Sequence, residues 1–188
     1  MKEISLGTFQ ENLKPALVKI FKLIPSSMAL GMWSFFMVIL WLYFKKESSG
    51  SSSMSLKVFP VLTTVNLIFF VILLPISNFA YNFIVNVSRL SKPVILKSGF
   101  EGENNKIEYR IIGIIFLGMI IRFAILEFSG IFGLVVFFIS TWTGQINEFE
   151  YLWINLLPFI VVTSFMISLF PTRNKIEQTF VERFLEVQ

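Results

Sequence analysis

Four apolar runs separated by polar connectors organise the chain. The longest, Ile111 to Trp142, has Arg122 and Glu127 as its only charges. The second, Val58 to Val87, contains Pro60 and Pro75, and at about 1.5 Å per residue it would extend roughly 45 Å as a helix. Two shorter runs flank these: Met28 to Phe44, closed by Lys45 and Lys46, and Tyr151 to Phe170, with Tyr151 and Trp153 at its start and Pro158 inside it. A hydrocarbon core of about 30 Å needs roughly 17 to 20 apolar residues in a helix, and all four runs reach that length. The pattern predicts an all-α integral membrane protein of four helices, with spans at 28–44, 58–87, 111–142 and 151–170. Spans two and three are too long for the bilayer, and their surplus must be covered by something other than lipid.

The two ends read differently. In residues 1–24, Phe9, Leu13, Leu17, Ile20, Phe21 and Ile24 recur at helical spacing, with Lys2, Lys14, Lys19 and Lys22 among the polar positions. This predicts an amphipathic segment lying on an anionic cytoplasmic leaflet, or a basic anchor ahead of the first span. Proline suits a first helical turn, so a helix starting at Pro15 and ending before Pro25 is expected. In residues 172–188, Ile176, Phe180, Phe184 and Val187 fall on one helix face while the charges balance. A neutral amphipathic helix with a Phe-rich face suits a groove on a protein better than a lipid surface. The expectation is therefore a tail that docks to a soluble cytoplasmic partner or a neighbouring subunit. Between the ends, residues 25–171 form the four-span domain, and Ser48 to Ser53 read as a flexible linker.

Composition agrees with the membrane class. Of 188 residues 55% are hydrophobic, and mean hydropathy is +0.74. The 16 Lys and Arg residues give a net charge of +4, but they sit beside apolar runs and are read topologically, with no direct nucleic-acid contact implied. Lys2, Lys14, Lys19 and Lys22, then Arg89, Lys92, Lys97, Lys106 and Arg110, then Arg173, Lys175 and Arg183 fall on one side of a four-span chain. Lys45, Lys46 and Lys57 fall on the other. Both termini are thus expected in the cytoplasm. Splitting the long run near Ser129 and Gly130 would give five spans, but it leaves a piece too short to cross. No cleavable signal peptide is visible.

Candidate chemistry is sparse. Cys and His are absent and all 12 acidic residues are Glu, so no disulfide, metal centre or cofactor is implied. The usual intramembrane catalytic constellations are missing too, and no enzyme is expected. Asn78, Asn82 and Asn86 repeat every four residues, a row of carboxamides that needs partners. If the third span begins at Phe123, Arg122 marks the inner membrane surface. The surplus Ile111 to Ile121 would then pack on the end of span two, bringing Arg122 near Ser77, Asn78, Asn82 or a headgroup phosphate. Glu127 lies five residues on, too far round the helix to pair with Arg122. It reads as an ion-path carboxylate, an intersubunit contact or a buried neutral side chain. Ser27 with Gly31, Ser129 with Gly133, and Ser164 with Ser168 have the small-residue spacing that permits close helix approach.

Two function classes follow: a non-enzymatic oligomeric scaffold or sensor that recruits a soluble cytoplasmic partner, and an oligomeric ion channel lined by Glu127 or the Asn row. In length, span count, cytoplasmic termini and the Pro171 to Gln188 tail, the chain resembles the membrane subunit of the Kiwa bacterial anti-phage system. That resemblance implies a homo-oligomeric inner-membrane detector of phage attack that signals to a soluble effector.

Overall fold

A computed structural model describes residues 6–46, 58–86 and 107–185. The serine-rich linker, most of the basic connector and Val187 lie outside the described residues. Six α-helices follow in order: α1 (Leu6–Asn12), α2 (Pro15–Lys46), α3 (Val58–Val85), α4 (Ile107–Thr143), α5 (Leu157–Ser168) and α6 (Arg173–Phe180). The protein is all-α, and four stretches are long and apolar enough to cross a membrane. The chain divides into two compact units. Unit 1 comprises Met1–Ile24, Asn78–Arg122 and Phe170–Gln188; unit 2 comprises Pro25–Ser77 and Phe123–Leu169.

Unit 2 contains four helical stretches, each about 30 Å long. In α4 that stretch begins immediately after Arg122. Large apolar side chains point outward: Leu30, Met37, Phe128, Ile160 and Ile167 are all exposed, which suits a hydrocarbon solvent and no other. Inside, two glycines set how closely the helices approach. A Cβ on Gly130 would stand 2.9 Å from Met32 Sδ and 3.5 Å from Val162 Cγ1, so α2, α4 and α5 converge there. Phe159 packs beneath Trp33 and Phe36, with ring centroids 5.1 and 5.0 Å away.

Two expectations about helix ends are corrected. Pro25 does not stop α2, which starts at Pro15 as expected but runs through to Lys46. Proline removes one backbone hydrogen bond, whereas breaking the helix at the entrance to hydrocarbon would leave several groups unpaired. The fourth span does not begin as an α-helix. Gly144, at φ 79°, ends α4 in the left-handed conformation that suits glycine, and a 3₁₀ turn at Gln145–Asn147 follows. Glu150–Leu156 is also 3₁₀, and Pro158 sits in the first turn of α5 and not inside a longer helix. Seven 3₁₀ residues at about 2 Å and twelve α residues at about 1.5 Å still extend roughly 32 Å.

Unit 1 has a core of its own. Phe9, Leu13, Val18 and Phe21 from the amino-terminal segment meet Val85 of α3, Ile111, Ile112 and Ile115 of α4, and Ile176, Phe180 and Phe184 of the tail. The surplus apolar turns of α4 are covered by protein, as their composition demanded. The tail also finds its groove here, but within its own chain. This corrects the expectation that Ile176, Phe180 and Phe184 dock to a partner: their relative exposures are 0%, 0% and 3%.

Candidate functional site

The chemistry of unit 1 is arranged around that tail. Thr172 caps α6 by accepting from the Lys175 amide at 3.3 Å. The Phe180 ring stacks on Phe9, with centroids 3.9 Å apart and planes 9° from parallel. A π-type turn at Val181–Leu185 widens the spiral, and Phe184 remains stacked beyond Phe180 at 6.0 Å. Polar contacts border the apolar face. Glu177 accepts from Arg173 Nε at 2.7 Å and from Gln10 Nε2 at 2.9 Å, and Arg183 donates to Asn82 Oδ1 at 2.9 Å. Burial pushes the Glu177 carboxyl up, but the hydrogen bonds from Arg173 and Gln10, with the Arg173 charge, outweigh it and hold the group below its ordinary value.

Of the predicted Asn row, Asn82 meets the tail through Arg183, Asn78 is exposed on α3, and Asn86 is exposed just past the end of that helix. Arg122 does not donate to Asn78 or Asn82. Its guanidinium stands over the Tyr81 ring, 5.3 Å from the centroid, and its Nε is buried without an acceptor. The Ser77 hydroxyl turns back onto its own helix, donating to the Leu74 carbonyl at 2.7 Å. Glu127 is half-buried in unit 2, and no described residue donates to it. Among the described residues no three His, Cys, Asp or Glu side chains gather where they would hold a metal ion.

Unit 2 contains a polar node that sequence reasoning missed. Asn66 Nδ2 donates to Asn155 Oδ1 at 2.9 Å, and Asn155 Nδ2 donates to Thr63 Oγ1 at 3.0 Å and to the Leu152 carbonyl at 2.9 Å. Asn66 and Asn155 are 1% and 0% exposed. Gly133 closes the node: a Cβ there would lie 2.6 Å from the Asn155 carbonyl oxygen and 3.4 Å from both terminal atoms of the Asn66 carboxamide. The Ser129 and Gly133 spacing thus serves close approach within the chain, while Gly31 has no atom within 4 Å of the place its Cβ would occupy. The available signal was Asn66 in the first half of the second apolar run and Asn155 in the fourth, since a polar side chain in hydrocarbon must find a partner.

Comparison of the chain with known protein families, curated proteins and solved structures finds no match.

Proposed function

We propose that this chain is a non-enzymatic, homo-oligomeric scaffold or sensor subunit of a bacterial inner membrane that recruits a soluble cytoplasmic protein through unit 1. The observation that carries the reading is that the two ends of the chain and the surplus of α3 and α4 share one buried core separate from that of the spans. A simple membrane anchor has no need of such a module. The tail's Phe face is already occupied, so the partner surface is the polar outer side of α6, where Arg173, Asn174, Lys175 and Gln178 are exposed. The resemblance to the Kiwa membrane subunit supplies the biological setting, detection of phage attack at the envelope.

The test is affinity purification from the native host, with the mass of the detergent-solubilised complex read directly. A stoichiometric soluble protein that is lost several-fold when Asn174 and Lys175 are both replaced by Glu supports the proposal; a complex containing this chain alone refutes it. Glu127 keeps a second reading in play. A half-buried carboxylate with no donor among the described residues suits the lining of an oligomeric ion channel. Ion flux into liposomes of purified protein that falls in Glu127→Gln would decide for the channel.

A further inference from the structure

Arg122 is the last residue of the α4 portion of unit 1, and the stretch after it, Phe123 to Thr143, extends roughly 31 Å, the thickness of a hydrocarbon core. Its guanidinium is half-buried, held over Tyr81, with Nε lacking an acceptor. The platform itself is fixed. A Cβ on Gly118 would come within 3.2 Å of Tyr81 Cδ2 and 2.9 Å of Val85 Cγ2, so ring and backbone are already in contact.

Nothing described in unit 1 completes this fork. Glu177 is paired with Arg173, and its second oxygen is occupied by Gln10. Glu182 accepts from Gln178, Glu11 is exposed on α1, and the Asn82 oxygen is taken by Arg183. A guanidinium carries five donors in one plane, and leaving it half-desolvated without an anion is unfavourable. At the rim of a bilayer the abundant anion is the phosphodiester of a lipid headgroup, whose paired oxygens match that planar fork.

We propose that Arg122, positioned by Tyr81, binds the headgroup phosphate of an anionic phospholipid in the cytoplasmic leaflet. An anionic headgroup fits better than a zwitterionic one, because a choline or ethanolamine cation would be held close to the guanidinium that binds its phosphate. The site requires the chain to span the membrane and does not depend on the scaffold reading.

Native mass spectrometry of the purified full chain, equilibrated with mixed phosphatidylglycerol and phosphatidylcholine, tests it. Wild type should retain phosphatidylglycerol preferentially, Arg122→Gln should retain it roughly tenfold less, and Arg122→Lys should fall between. Tyr81→Phe keeps the ring face and should match wild type, whereas Tyr81→Leu should weaken retention. Arg110→Gln, an exposed cation on the same helix, should leave it unchanged. Equal retention of the two lipids, wild-type retention in Arg122→Gln, or displacement of the lipid by excess inorganic phosphate would each overturn the proposal, the last by making this a site for soluble phosphate. If Arg122→Gln loses its helical circular dichroism, the Lys and Tyr81 variants decide the question by themselves.

Discussion

At Gly133 there is no room for a methyl group. The obstacle is the Asn155 backbone carbonyl, which cannot move aside without shifting its whole segment, so Gly133→Ala should cost about 1–3 kcal/mol. Gly31→Ala, with open space around it, should be neutral; thermal unfolding of both variants in detergent compares them directly. Asn155 donates to two acceptors and accepts from Asn66, and Asn155→Leu should cost about 1–2 kcal/mol. A double-mutant cycle with Asn66→Leu should return a coupling of about 1 kcal/mol, and additive effects would mean that the two do not interact. Glu177 makes a pH prediction. Its folded value lies below the ordinary 4.5, so its contribution to holding the tail is complete above that value and disappears as pH falls through the lowered folded one. Proteolytic cleavage of the tail should rise across that acid window in wild type and be flat there in Glu177→Gln.

Among the elements, α1 and α6 depend on each other. Each is a short amphipathic helix that could not persist alone, and each supplies the apolar surface that the other lacks. Phe180→Ala removes the ring stacked on Phe9 and should destabilise unit 1 by about 3–5 kcal/mol. Hydrogen exchange is the suitable measurement: protection should fall over residues 6–21 and 111–115 while the spans of unit 2 keep theirs. Removing residues 172–188 should have the same effect more strongly, because it uncovers Phe9, Leu13, Ile111 and Ile115 together. A truncated chain that keeps full protection over 6–21 would show that the tail is not part of this core. The fourth span depends on its neighbours differently. A 3₁₀ stretch of seven residues is unusually long, and the hydrogen bond from Asn155 to the Leu152 carbonyl is one of the contacts that support it.

Across the whole molecule, the charge asymmetry makes the most direct prediction. The chain has no native cysteine, so single cysteines at positions 2, 97, 147 and 188 report topology without background. An impermeant reagent applied to intact cells should label position 147, and should reach the other three only after permeabilisation. Labelling of position 188 from outside would restore the five-span reading.

The sequence by itself determined the membrane class, the four helices, and the need to cover the surplus of the second and third. Those follow from the length of each apolar run set against a fixed bilayer thickness, a comparison that requires no knowledge of neighbours. It also singled out the start of α2 at Pro15 and the Phe face of the tail, because proline and helical spacing act locally. Tertiary structure alone decided what lies against what. The tail could be recognised as needing a groove, yet only the fold put Phe9, Ile111 and Val85 in that groove; Arg122 could be recognised as costly, yet only the fold set it over Tyr81. The node of Thr63, Asn66 and Asn155 lay hidden for the same reason. Each residue is unremarkable in its own run, and the hydrogen bonds that define the node join positions about ninety residues apart, a separation across which local pattern has no reach.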